Sequence, residues 1–339
     1  MSSVHLAPRH RVARSRRPPT VTALLSTVVV LALVSAPYVV YADITSLLVN
    51  LFILLVLATT WNLLAGYAGL ISVGQQAYVG IGAYTVLVLA QNGVSPYLAI
   101  PVAAAVCAAA ALPISLLVFR LRNEYFAIGT WVVAEALLLI AVRFPSLGGG
   151  TGASLPGLSG FDPALRQAFT YWAALAVVVA TLVGAYLLLR SRVGLDLTAI
   201  RDDEVGAASV GVRVSRAKRI VYLAAAAGGG AAGALLAVSQ LNVLAGNVFS
   251  VQWSAYMIFV AVIGGVGTIE GPILGTAIFF TLQHTLAQNG AWYLILVGGI
   301  AVVVAMYAPR GLWGLVADRF DLRLFPVGYY LHDERVEPP

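Results

Sequence analysis

The chain has 339 residues, 60% of them hydrophobic and only 10% charged, with a mean hydropathy of +0.91. Soluble domains carry about a quarter charged residues, so a water-soluble fold is excluded. The net charge of +6 comes from basic residues in loops and at the ends rather than on one soluble face. That distribution excludes a nucleic-acid-binding surface and marks the charges as topology signals.

A helix needs about 20 mainly apolar residues to cross roughly 30 Å of hydrocarbon. The apolar runs here are continuous and rich in Leu, Val, Ala and Gly, unlike the alternating segments of about 10 residues found in membrane barrels. The expectation is an all-α integral membrane protein, a polytopic bundle of about ten transmembrane helices with broken or re-entrant segments. Its length and composition place nearly the whole chain in lipid.

Arg9, Arg11, Arg14, Arg16 and Arg17, followed by Pro18-Pro19, form a basic tail over 1–19 that is expected to lack structure. The first span covers 20–41. Its basic flank and the small-residue site at Val40-Tyr41-Ala42 imitate a signal peptide, but its apolar run is too long for one and more spans follow. Further spans read as 45–65, 70–90, 97–119, 125–142, 168–189, 220–243, 251–265, 272–288 and 291–308. If they alternate from a cytoplasmic N-terminus, 18 of the 20 Lys and Arg lie inside, and only Arg143 and Arg166 lie outside. The positive-inside rule therefore puts both termini in the cytoplasm. It divides the chain into the tail, a permease domain at 20–310 containing a cytoplasmic loop at 190–219, and a cytoplasmic C-terminal tail at 311–339.

The third span holds Gln75, Gln76, Tyr78 and Tyr84 among several glycines. Polar side chains in hydrocarbon need partners, so they face either other helices or a wet solute path. Glu135, in the fifth span, is an intramembrane carboxylate and hence a functional candidate with no basic residue at its depth. The run from Gly264 through Gly265, Gly267 and Gly271 to Pro272 interrupts the hydrophobic pattern and reads as a tight turn or re-entrant break. Cys107 and His284 each stand alone and read as packing residues. No metal site is expected, and no catalytic or nucleotide-binding motif occurs, so any ATP used must be bound by another chain.

In the inner loop, Asp202 and Asp203 are placed to cap a helix of about eight residues, Glu204 to sit in its first turn, and Gly211 to end it. Ala207 and Ala208 give that helix a small apolar surface for docking.

Five segments occur in a recognisable order: Gly69 to Gln75 with Gly82-Ala83-Tyr84, then Tyr125-Phe126-Ala127-Ile128, then Gly149-Gly150-Thr151-Gly152, then Ala199 to Glu204 with Gly211-Val212, and Gly264 to Thr268 with Gly271 to Gly275. Together they resemble the LivM-type permease of bacterial branched-chain amino acid ABC importers over roughly residues 40–310. The resemblance implies a multi-pass subunit of the bacterial inner membrane. It would pair with a homologous LivH-type permease, two cytoplasmic ATPases and an extracytoplasmic solute-binding protein. It also implies that the helix following Asp203 is the coupling helix gripped by the ATPase. Similar permeases serve branched-chain amino acids, other amino acids or urea, and an ion-coupled secondary transporter is the alternative reading from Glu135 and the broken spans. Family members often carry His where this chain has Gln75, which removes a titratable group from that position.

Overall fold

The computed structural model describes residues 10–14, 20–121, 124–158, 160–286, 292–308, 310–320, 324–325 and 329–333. Arg9, Arg16, Arg17, Arg122, Arg323 and Arg335 of the charge distribution lie outside them.

Fourteen α-helices are assigned among these residues. The first five are α1 (Thr20–Val39), α2 (Ala42–Asn62), α3 (Gln76–Gln91), α4 (Pro96–Val118) and α5 (Glu124–Val142). They are followed by α6 (Pro163–Arg190), α7 (Arg192–Asp202), α8 (Glu204–Ser209), α9 (Val214–Gln240) and α10 (Ala245–Val248). The last four are α11 (Val251–Gly264), α12 (Glu270–Leu286), α13 (Trp292–Tyr307) and α14 (Gly311–Phe320). Two short antiparallel pairings complete the fold: β1 (His10–Arg14) with β4 (Tyr329–Asp333), and β2 (Ala153–Ser154) with β3 (Asn242–Val243). Part of the basic tail, expected to be unstructured, thus forms a strand against the C-terminal end.

The helix starts follow local chemistry. Asp162 accepts from the Ala164 N–H at 2.8 Å just before Pro163, a proline at the first helical position that has no amide to leave unsatisfied. Pro37 inside α1 cannot donate to the carbonyl four residues back, and the Tyr171 hydroxyl of α6 donates to that Leu33 oxygen at 2.8 Å instead.

Two helices form the centre. α2 and α9 are buried over most of their length, whereas α4, α5 and α6 are buried over little of theirs and turn apolar side chains outward, as lipid-facing helices do. Small residues on α9 let its neighbours approach closely: a Cβ on Gly230 would overlap Cys107 of α4, and one on Gly233 would overlap the Val79 carbonyl of α3. Cys107 is fully buried at this contact, in the packing role expected of it.

The described residues contain six helices long and apolar enough to cross a membrane, or seven if the bent pair α13 and α14 counts as one. The expected count of about ten is therefore not reached by length alone. α3 and α12 have only 16 and 17 residues. The shortfall at α3 has a clear origin: the span expected at 70–90 begins six residues late, because Gly69 to Gln75 is not helical.

Candidate functional site

The broken segment before α3 is buried over most of its length, with Gly69 and Ile71 exposed, so its buried backbone groups need partners. α2 continues as a π-helix, Leu63–Tyr67, and Gly69 then turns the chain with φ +65°. The Trp61 indole N–H donates to the Ser72 carbonyl at 2.8 Å, and the Val73 N–H donates to the Thr130 hydroxyl of α5 at 3.2 Å. Side chains from two helices thus hold an irregular strip against the start of α3, the kind of discontinuity that transporters place at solute sites.

The second break is joined to the first. Gly264 ends α11, Gly265 and Gly267 take φ values of +134° and +83°, and Glu270 opens α12. This is the tight turn expected there. A Cβ on Gly264 would overlap the Gly271 carbonyl, which explains why small residues flank the turn. Asn62, buried at the end of α2, accepts from the Gly267 N–H at 2.8 Å and donates to the Thr268 carbonyl at 2.7 Å. Arg201, at the end of α7, reaches the Gly66 carbonyl of the π-helix at 2.7 Å. One cluster therefore ties the 190–219 loop, the π-helix and the glycine turn together. Asn62 was missed at the sequence level, although a lone amide in an apolar span is the signal that finds such residues.

Gln75, Gln76, Tyr78 and Tyr84 are all buried, with each glutamine only 1% exposed. The Gln76 Oε1 accepts from Ser254 of α11, and Tyr78 packs edge-on against Tyr222 of α9. Tyr84 stacks on Phe249. Gln75 differs: both its amide atoms are buried without a hydrogen-bond partner among the described residues. Thermal unfolding in detergent should therefore separate the two. Gln76→Leu is expected to lose about 0.5–2 kcal/mol with its interhelical bond, whereas Gln75→Leu loses none, having no bond to break.

Glu135 is not brought to these residues. It lies exposed on the outer side of α5, among Trp131, Val132 and Leu139.

In the 190–219 loop the expected capping is present, with a shift in register. Asp202 ends α7, while the Asp203 carboxylate accepts from the Val205 N–H at 3.0 Å and caps α8. Glu204 lies in the first turn and pairs with Lys218 at 2.7 Å. Gly211, at φ +91°, follows the end of the helix. α8 has six residues rather than about eight, because Val210 already leaves the helix. Ala207 faces inward and is buried, Ala208 is exposed, and Val205 and Val210 are 76% and 80% exposed. Among the described residues no group of three or more His, Cys, Asp or Glu could hold a metal ion.

A bundle of apolar helices interrupted at two joined breaks, with a capped helix in its longest polar loop, defines a multi-pass helical membrane protein. Residues 44–305 match the family described as branched-chain amino acid transport system, permease component, and the chain belongs to that family. The family comprises membrane permeases rather than enzymes. The chain is 27% identical to the high-affinity branched-chain amino acid transport system permease protein LivM of Salmonella typhimurium and to that of Escherichia coli, covering 86% of this chain and 74% of each relative. It is 22% identical to the probable branched-chain amino acid transport permease protein LivM of Methanocaldococcus jannaschii, over 57% of this chain and 61% of that one. No solved structure matches.

Proposed function

We propose that this chain is the membrane permease of an ATP-driven importer that carries a branched-chain amino acid into the cytoplasm across a bacterial inner membrane. The observation that carries this reading is α8. It is capped at Asp203, closed at Gly211 and offers the exposed Val205, with Val210 just past its end, to a partner, which is the form of a helix that docks in a groove. The partners in this reading are a second, LivH-type permease, two cytoplasmic ATPases that bind the nucleotide, and an extracytoplasmic solute-binding protein. The helices α1, α3, α12 and α13 also cross, giving about ten passes and placing both termini in the cytoplasm. Two features support that layout: the 18-to-2 distribution of Lys and Arg, and the pairing of β1 with β4, since an even number of passes brings both ends to one side.

The cluster of Asn62, Arg201 and Gly267 supplies the mechanical link. Motion of α8 moves α7, whose Arg201 holds the π-helix at Gly66, and Asn62 passes the displacement to the turn between α11 and α12. The two breaks then rearrange together around the solute path, because packed elements shift between discrete arrangements rather than deform continuously.

The test is L-leucine uptake by proteoliposomes holding the permease with its ATPases and binding protein. Uptake is expected to require ATP and to survive dissipation of ion gradients. Uptake driven by a gradient without ATP would overturn the proposal in favour of an ion-coupled carrier. Reporter fusions after Arg17 and Arg323 are expected to report from the cytoplasm, and an external signal from either would overturn the orientation.

A further inference from the structure

A cavity of about 250 Å³ lies between α2, α11 and α12, away from Asn62, Arg201 and the glycine turn. α2 runs from its start near this cavity to the cluster at Asn62, and α12 runs from Glu270 back to the cavity. In the orientation proposed above, the cavity therefore sits in the outer half of the membrane.

Each helix contributes one face. On α2, Asn50, Ile53 and Leu54 have i, i+3, i+4 spacing, and Phe280, Gln283 and His284 repeat that spacing on α12. Trp253 and Tyr256 come from α11, and the Trp253 N–H is already committed to the Asn247 carbonyl at 2.9 Å, which leaves the ring as apolar wall.

Asn50 and His284 are exposed at the open side of the cavity and Gln283 is half-buried, and none of the three makes a hydrogen bond to any described residue. A single unpaired amide in an apolar helix has many explanations. Three from two helices converging on one cavity have a narrower one: such groups are costly against hydrocarbon and are kept where they meet a solute or water.

The lining also specifies the solute. No Asp, Glu, Lys or Arg is among the described lining residues, so a ligand with net charge would enter without a counter-ion, whereas a zwitterion carries both charges itself and needs only hydrogen-bond partners for them. Two amides and an imidazole offer donors and acceptors for a polar head, and the aromatic and aliphatic wall takes an apolar tail. The volume holds roughly eight water-sized groups at ~30 Å³ each, the scale of one small amino acid.

We propose that this cavity is an outer subsite for the aliphatic amino acid on its way through the permease. The inference rests on the transport reading above, and deepens it by naming where the apolar side chain is held.

The experiment uses the assembled importer with Gln283→Cys. Native Cys107 is fully buried and gives no competing label. A membrane-impermeant maleimide is expected to label the new cysteine from outside, and L-leucine at ten times its Kd is expected to slow labelling about tenfold. L-aspartate and urea should leave the rate unchanged. Phe280→Trp, which fills the apolar side, should raise the KM for L-leucine while leaving that for L-alanine near the parental value.

A parent importer that takes up L-leucine, combined with labelling that L-leucine does not slow, overturns the subsite and leaves the transport function standing. A cysteine that reacts only after the partner permease is removed also overturns the subsite, by making this face subunit packing. A parent that carries no aliphatic amino acid overturns the transport reading itself.

Discussion

Gly82→Val is expected to abolish accumulation of folded chain in the membrane. A Cβ at this position would overlap the carbonyl group and Cα of Gly230, so the obstacle is the α9 backbone rather than a side chain that could swing aside. Relief requires α3 and α9 to separate along their contact, which also loosens the Gly233 approach to Val79 and the seat of Cys107 on α4. Overpacking a core costs about 1–3 kcal/mol when side chains can adjust, and more when backbone meets backbone. That is a large part of the ~5–15 kcal/mol that holds a typical protein folded. Gly184 in α6 provides the control, because a Cβ there meets nothing within 4 Å and an alanine favours helix. Size-exclusion profiles of detergent extracts should show Gly184→Ala at the parental level and Gly82→Val aggregated or missing. A monodisperse Gly82→Val peak of parental height would mean that α3 and α9 are free to move apart.

The helical class and most span positions were legible because hydropathy reports transfer into hydrocarbon, and that energy dominates where an apolar run ends. What hydropathy does not report is backbone geometry. Leu70, Ile71 and Val73 are as apolar as any helical residues, so the run from 70 looks continuous, yet the chain there is not helical and is held by Trp61 and Thr130. Those bonds join residues 11 and 57 positions apart, a distance over which no local pattern carries information. Gly69, Ser72 and Gly74 were the only local sign of the break. In the same way, the length of α9 was underestimated at its start, because Arg213 to Arg219 reads as loop by charge while α9 already begins at Val214.

The candidate site was legible in parts. The cap at Asp203 and the stop at Gly211 were readable because they rest on interactions within a few residues. The glutamines of the third span stood out as polar groups in lipid, but their fates differ through a residue far along the chain, since Ser254 reaches Gln76 and not Gln75. Asn50, Asn62 and Gln283 carry the same signal as Gln75, but each is a single amide without a neighbouring motif, so local sequence does not set them apart. Their meaning appears only once the fold sets Asn62 on the glycine turn and brings Asn50 to Gln283.

Val205→Asp combined with Val210→Asp is expected to leave the bundle intact and to cut solute-stimulated ATP hydrolysis roughly 100-fold, as losing two well-buried anchors of an interface does. Both valines are exposed in this chain, so the change removes no internal packing. Buried in an ATPase groove, however, each carboxylate would lose its hydration without gaining a partner. Gly211→Pro should act on the same element from its end. The residue sits at φ +91° where proline is fixed near −65°, and its N–H, which donates to the Ala208 carbonyl at 3.1 Å, would be lost. Glu204→Lys is a milder probe: it exchanges a pair between a 56% exposed carboxylate and a 16% exposed ammonium, worth at most about 1 kcal/mol, for a like-charge repulsion of about the same size. Any larger effect of that reversal on turnover comes from the partner it faces. The measurement is ATP hydrolysis in reconstituted membranes with and without the loaded binding protein, alongside extraction profiles that confirm insertion. Undiminished stimulation in the double aspartate and the Gly211→Pro variants would remove α8 from the coupling path and leave Arg201 without a lever.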